Sequence, residues 1–340
     1  MRSRMNWGAV FVFCCFWVLV EVDGSSRHKL RHDDPCDLGI QRRPESLRSD
    51  QMTVLINGYS EPRIPLLVSI AAAYSASPVV AAVLVLWGNL RTPPRLLSEL
   101  SRNLSAASLG AARISLVPQS SSSLNARFLP RPHAIETRAA LICDDDVEVD
   151  ARSVEFTFRV WGSNPDRIVG MFGRSHDMDL ARKEWIYTVH PDRYSIVLTK
   201  FMLLKTQYLF SYSCGSGAVG ARMRRVVDEM GNCEDILMNF VVADEINAGP
   251  VLVGAERVRD YGDPRNDGGS SEDRDEVRDA GLSRRRGEHR KRRGHCIREF
   301  HKAMGRMPLR YSYGKMVNSV GEQGLCNKGG KLVFCDQFLG

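Results

Sequence analysis

Three consecutive aspartates, Asp144, Asp145 and Asp146, follow directly on the apolar run Ala139 to Cys143. Carboxylates at i and i+2 of an extended segment point to the same side, so Asp144 and Asp146 can share a hard divalent cation, with phosphate oxygens and water completing its shell. Such an ion offsets the charge of a departing diphosphate as a Lewis acid. The plainer alternative is a solvated acidic turn, or the N-cap of the next helix. A second signal is basic: seven of the ten residues from Arg284 to Arg293 are Arg or Lys. That run suits a nucleic acid, a nuclear import signal, anionic lipid headgroups or a phosphate-bearing small molecule. His176 and His190 read as hydrogen-bonded structural residues before ligands. Trp161, Trp185 and Tyr187 can stack on a sugar, with core packing the better account of Trp161.

The elements that hold these groups alternate. Thr53 to Ile56 reads as a buried strand running into Asn57-Gly58-Tyr59, and Pro65 to Ser75 as a helix. Val79 to Trp87 is a second apolar strand closed by Gly88-Asn89, Pro94 to Leu104 a second helix, and Ile114 to Val117 a third strand. Near-continuous apolar strands alternating with helices predict an α/β fold whose sheet is mostly parallel and covered on both faces. Such sheets bind ligands at the carboxyl ends of their strands, which places Asn57, Asn89 and the aspartates on one rim. No GxGxxG follows the first strand and no GxxxxGK[ST] occurs, which sets aside a Rossmann dehydrogenase and a P-loop NTPase.

The wider composition bounds the rest. With 340 residues, 43% hydrophobic, 26% charged and a formal charge of +7, the chain is neither wholly disordered nor a polytopic membrane protein. Arg2 and Arg4 precede an uncharged stretch from Trp7 to Val20. The expectation is a short cytosolic tail and signal anchor over 1–23, favoured over a cleaved signal peptide, with the remainder lumenal. Residues 24–50 read as a stem and 51–340 as the folded domain, with 265–280 a mobile insertion. A lumenal address and the absence of aromatic interleaving argue against nucleic acid as partner. Of nine cysteines, seven lie outside the apolar stretch and none form CxxC, so one to three disulfides and an odd thiol are expected rather than zinc. Asn103-Leu104-Ser105 is a glycosylation sequon. Oligomeric state is not legible.

Several separated segments keep a common order: Leu124 to Pro130 (LNARFLP), Leu141 to Val147 (LICDDDV), Asn164 to Gly170 (NPDRIVG), Arg174-Ser175-His176, Tyr194 to Leu198 (YSIVL), Asn232 to Phe240 (NCEDILMNF) and Met307 to Tyr311 (MPLRY). In these the chain resembles the exostosin-type glycosyltransferases, glycosyltransferase family 64. Ser49 to Tyr59, Lys183 to Thr199, Val253 to Asp263 and Ser319 to Leu325 resemble the plant branch that mannosylates glycosyl inositol phosphorylceramides. The resemblance implies a GT-A fold, a retaining glycosyltransferase, GDP-mannose as donor, a sphingolipid headgroup as acceptor, Mn2+ or Mg2+ as cofactor, and a single-pass type II Golgi membrane protein. Two alternatives stand beside it: a UDP-sugar transferase of the same family, for instance of N-acetylglucosamine, and a non-catalytic lumenal partner subunit.

Residue by residue, the resemblance assigns Asp144, Asp145 and Asp146 to metal and donor, with Asp144 and Asp146 as metal ligands. Asn57 falls at a base-binding position, and Asn89, Asn125 and Arg127 fall near the nucleotide sugar. The acidic pair Glu234-Asp235 has Glu where the family has Asp first, leaving Asp235 as the catalytic carboxylate. Arg293, three residues before Cys296, is the arginine that reaches the donor diphosphate, with His289 one turn earlier. Cys233 and Cys296 match a disulfide. Where the family has an arginine shortly after the equivalent of Tyr59, this chain reads Ser60-Glu61-Pro62-Arg63. Arg63 then supplies the charge, and Glu61 facing a diphosphate would be repulsive.

Overall fold

The computed structural model describes residues 34–262, 286–318, 325–328 and 330–334. The apolar segment 7–20 and the insertion 265–280 lie outside the described residues.

Strand β1 (Arg48–Gly58) is followed by helix α1 (Ile64–Ser75), which opens with Pro65 where its missing N–H costs nothing. Strand β2 (Val80–Trp87), helix α2 (Pro94–Ala106) and strand β3 (Arg113–Pro118) repeat the unit outward, with Val54 in register with Val83 and Val83 with Ile114, all parallel. The chain then returns through a 3-10 helix, Leu124–Phe128, to β4 (Thr137–Asp144) on the other side of β1, again parallel, Val54 against Leu141. The order of strands therefore reverses between β1 and β4, opening a crevice at their carboxyl ends. After β5 (Val147–Val149), helix α3 (Ala151–Gly162) starts at Asp150, whose carboxylate accepts from the Ser153 N–H at 3.0 Å.

Short strands β6 (Val169–Gly170), β7 (Gly173–Asp179), β8 (Glu184–Thr188), β9 (Arg193–Tyr194) and β10 (Ile196–Val197) lead to β11 (Phe201–Lys205). Helices α4 (Gln207–Ser213), α5 (Gly217–Met230) and α6 (Glu234–Ile246) follow, then β12 (Val251–Leu252), β13 (Val258–Asp260) and helix α7 (Arg286–Met304). The central sheet has seven strands in the order β12-β6-β11-β4-β1-β2-β3. The expected mixed, mostly parallel sheet is present; β11 is its antiparallel member, paired with both β4 and β6. Neighbouring β1 residues face opposite layers. Val54 and Ile56 pack with Leu67 and Ile70 of α1 and Val160 of α3, whereas Leu55 packs with Phe240 of α6 and Phe300 of α7. Two covered faces explain why the strands read as unbroken apolar runs.

Two disulfides are formed, Cys36–Cys214 and Cys233–Cys296, and Cys143 is a buried free thiol. The first has Cys36 within the segment expected as a stem. Residues 34–50 lie against the domain, pinned by Cys36 to the end of α4 and by Arg42, which pairs with Glu136 at 2.9 Å and donates to the Pro132 carbonyl at 2.7 Å. Among the described residues no helix is long and apolar enough to cross a membrane.

Candidate functional site

The register of β1 on β4 sets Asn57 beside Asp144 at the crevice. From there the backbone turns: Asp145 and Asp146 form a tight turn between β4 and β5. The extended i, i+2 geometry expected of the aspartates is therefore not what the chain adopts. Nor is the turn solvated, for Asp145 and Asp146 are buried, and the helix cap that follows is Asp150. Arg63, from the 3-10 turn before α1, gathers the two turn residues: its Nη1 lies 2.9 Å from Asp145 Oδ1 and 3.1 Å from Asp146 Oδ2. The charge expected from Arg63 is thus delivered to the aspartates themselves.

Asp144 is held separately. Arg127 Nη1 lies 3.0 Å from Asp144 Oδ1 and 3.3 Å from Glu234 Oε1, so one guanidinium joins the end of β4 to the start of α6. Glu234 also accepts from the Thr199 hydroxyl at 3.3 Å. Next to it, Asp235 Oδ2 accepts from Arg293 Nη2 at 2.6 Å, while Arg293 Nη1 donates to Asn232 Oδ1 at 2.9 Å and the guanidinium lies 4.5 Å from the Tyr187 ring centroid. Residue Cys233, between Asn232 and this pair, sits at φ 81°, unfavourable for any side chain. It is held there by the Asn232 side chain, whose Oδ1 accepts from the Cys233 N–H at 2.8 Å, and by the disulfide to Cys296 of α7. The staple implied by the resemblance joins the acidic start of α6 to the helix bearing Arg293.

Burial dominates the electrostatics. It pushes the Asp146 carboxyl up to about 7, aided by Asp144 and Asp145, with Arg63 and Lys200 opposing. It raises Asp145 against the pull of Arg63, and raises Glu234 against that of Arg127. For Arg293 burial works the other way, but Asp235 and Tyr187 outweigh it and hold the guanidinium above its usual range. Burial and then Arg293 lower His289, which lies half-buried one turn before Arg293. In all, five carboxylates (Asp144, Asp145, Asp146, Glu234, Asp235) face three guanidiniums (Arg63, Arg127, Arg293).

A divalent cation fits this arrangement. Two carboxylates are left in excess, and Asp146 Oδ1 is buried without a partner. Oxygen donors of this kind suit a hard ion. Among the described residues no group of three or more His, Cys, Asp or Glu is arranged to enclose a metal, so the aspartates supply part of a shell only. Conversely, the Nε–H of Arg63, Arg127 and Arg293 are all buried donors without acceptors.

Some residues singled out from sequence stand elsewhere. Asn125 is not turned to the aspartates; its amide donates to Asp228 Oδ1 at 2.9 Å and the Arg224 carbonyl at 3.0 Å and accepts from the Tyr212 hydroxyl at 2.5 Å, locking the 3-10 helix to α4 and α5. His176 is a core residue, bonded through Nδ1 to Ser195 Oγ at 2.8 Å and stacked on Tyr311, and His190 pairs with Asp177 at 2.9 Å. Trp161, near the end of α3, is buried and stacked on Phe158 of the same helix. Asn89 lies with Tyr59, Ser60, Glu61, Pro62 and Arg91 around a cleft of about 380 Å³. Glu61 faces Thr92, which donates to it at 2.8 Å, and not the aspartates. Tyr187, singled out from sequence as able to stack on a sugar, lies under the Arg293 guanidinium, whereas sequence reasoning missed the brace of Asn232 and the Lys200–Asp260 pair at 2.5 Å. It also missed Gly262: a Cβ there would come within 2.4 Å of Asp146 Oδ2, so only glycine lets the backbone close over that carboxylate. Asn232 was within reach, since it opens the NCEDILMNF segment.

A family model for the glycosyl transferase family 64 domain matches residues 52–321, which include every residue of this cluster. The chain belongs to glycosyltransferase family 64. It is accordingly a glycosyltransferase, and the nucleotide-sugar donor and acceptor of that family are its substrates in general terms. It is 67% identical over 304 residues, 89% of this chain and 91% of the other, to glycosyltransferase family protein 64 C3 of Arabidopsis thaliana. Exostosin-1c of Danio rerio is 34% identical over 54% of this chain, which spans 23% of that protein. Glucosamine inositolphosphorylceramide transferase 1 of Arabidopsis thaliana is 33% identical over 53% of this chain, which spans 22% of that protein. Among solved structures, the crystal structure of GalNAc-T7 with UDP, GalNAc and Mn2+ is similar at a TM-score of 0.41 and 9% identity, over 57% of this chain and 40% of that one. That likeness is too slight to carry an argument.

Proposed function

We propose that this family 64 enzyme has a GT-A fold and is a metal-dependent, retaining transferase that moves mannose from GDP-mannose to the headgroup of glycosyl inositol phosphorylceramide, facing the Golgi lumen from a type II anchor. The observation that carries the reading is Arg127, one guanidinium bonded to both Asp144 and Glu234. It makes the aspartate turn and the Asp235–Arg293 pair parts of a single site. A membrane-bound acceptor accords with the apolar N-terminal stretch, and an inositol phosphorylceramide acceptor with the name of one relative.

Asp144 and Asp146 would hold Mn2+ or Mg2+, which when bound neutralises charge on the donor diphosphate. The chain's own groups do the rest. The unpartnered Nε–H groups of Arg63, Arg127 and Arg293 are donors suited to phosphate oxygens. In a retaining transfer the acceptor hydroxyl arrives on the face from which the nucleotide leaves, and the departing phosphate takes its proton. Arg293 stabilises the charge that develops there, pre-oriented by Asn232 and Asp235, so no reorganisation is needed at the moment of reaction. Asp235 orients the sugar. Release of nucleoside diphosphate from a panel of donors tests this: GDP-mannose should be turned over with the inositol phosphorylceramide acceptor and UDP-sugars not. A second reading, a UDP-N-acetylglucosamine transferase, is favoured by the likeness to the glucosamine inositolphosphorylceramide transferase, and the same panel returns it if only the UDP-sugar is consumed.

A further inference from the structure

The cleft of about 380 Å³ at the carboxyl ends of β1 and β2 contains one carboxylate, Glu61. The 3-10 turn Glu61–Arg63 divides its charges: Arg63 goes to Asp145 and Asp146, and Glu61 goes to the cleft. Glu61 is held there by a relay. The buried Trp87 indole donates through Nε1 to Thr92 Oγ1 at 2.9 Å, and the Thr92 hydroxyl donates to Glu61 Oε1 at 2.8 Å. Because the indole N–H occupies a lone pair of the hydroxyl and can only donate, the hydroxyl proton is directed onto the carboxylate. Among the described residues Glu61 makes no ion pair, although Arg91 lines the same cleft. The cleft thus holds a fixed hydrogen-bond acceptor. Asn89 supplies the opposite character: its Oδ1 accepts from the Arg91 N–H at 3.0 Å, which leaves its amide –NH2 as the free end. Tyr59, 47% exposed, adds an aromatic face at the rim.

A negative acceptor is unsuited to a phosphate and suited to the end of a nucleotide away from it. We infer that Glu61 reads the base of the donor and selects guanine over uracil. Guanine presents two adjacent donors, N1–H and the N2 amino group, to a carboxylate, and beside them the O6 acceptor for an amide such as that of Asn89. Uracil presents one N–H between two carbonyl oxygens, both of which a carboxylate repels. The inference rests on the reading of this rim as the donor site and adds to it the residue that chooses the nucleotide.

Calorimetric titration of the wild-type protein and Glu61→Gln with GDP, IDP and UDP, in the same Mn2+ buffer, tests it. IDP is guanosine diphosphate without the N2 amino group. The wild type should bind GDP about tenfold or more tighter than IDP and UDP, since a site built to pair a donor rejects an analogue lacking it. Glu61→Gln should weaken GDP and shrink its advantage over UDP by about tenfold, because an amide neither repels the uracil carbonyls nor accepts as strongly. Equal weakening of GDP and UDP in the variant would show Glu61 holding ribose or local structure, and would overturn the inference while leaving the donor site standing. Equal binding of GDP, IDP and UDP by the wild type would overturn it in the same way. Binding of none of the three would remove the donor-site reading, and the inference with it.

Discussion

Arg293 makes the most exacting residue-scale demand. Its two terminal nitrogens are committed to Asp235 and Asn232 and its plane lies on Tyr187. Arg293→Ala should lower kcat about 100-fold or more with a smaller effect on donor KM, as expected when a contact made in the transition state is lost. Arg293→Lys should recover only part, since an ammonium cannot make the forked contact. The alanine variant leaves Asp235 buried and unpaired, at a cost of about 3–5 kcal/mol of stability, so rates belong well below its melting temperature. Arg290→Ala, at an exposed position, should be near normal; a normal Arg293→Ala with a dead Arg290→Ala would mean that the assignment on this helix is misplaced. A second residue-scale effect is structural. Burial lowers His176 to about 4 from an ordinary 6.5, so between those values the unfolded chain binds a proton that the folded chain refuses. Stability should therefore fall as pH drops, by about 2 kcal/mol from pH 7 to pH 5. Denaturant midpoints at the two pH values should show a smaller fall in His176→Phe than in the wild type, and equal falls would contradict it. What sequence could read at this scale was residue type at strand ends, Asn57 beside Asp144; Arg127 and the Glu234-Asp235 pair, which converge on them, came with the resemblance. The direction of individual side chains was not legible. Arg63 reaches two aspartates and Asn125 turns away to Asp228 because of partners more than 80 residues distant in sequence.

At the scale of elements, strand runs and Pro-led helices mark the first half of the sheet closely. The short apolar run Phe201 to Leu204 carries no direction, which is why a mixed sheet could be expected without β11 being picked out as its antiparallel strand. Elements tied by covalent links were half legible. Cys233–Cys296 came with the resemblance, while Cys36–Cys214 joins points 178 residues apart that no local pattern connects. Closing loops of these lengths stabilises by about 5 and about 4 kcal/mol respectively in the chain-entropy model. Cys36→Ala should thus lower stability and leave kcat largely intact. Cys296→Ala should lower both, because α6 and α7 bring Asp235 and Arg293 together across that staple. Peptide mapping without reductant should recover both pairs; free thiols at all four positions would contradict the arrangement.

For the whole molecule, the address is the element of the account that sequence alone supplies. Asn103 is exposed on α2 within its sequon, so a lumenal domain should carry glycan there. N-glycosidase treatment of protein made in a secretory host should shift the wild type and not Asn103→Gln, and the absence of any shift in Golgi-localised protein would count against that orientation. The central claim, that the Asp144 to Asp146 turn and the Asp235–Arg293 pair form one metal-dependent transfer site, is tested most directly by sugar transfer from GDP-mannose to a glycosyl inositol phosphorylceramide acceptor. The assay compares wild type, wild type in chelator, and Asp144→Asn with Asp146→Asn, each checked for folding by circular dichroism. The account predicts transfer by the wild type, its loss in chelator with recovery on adding Mn2+, and no transfer by the folded double variant. Full activity of the double variant, or of the wild type in chelator, would contradict it.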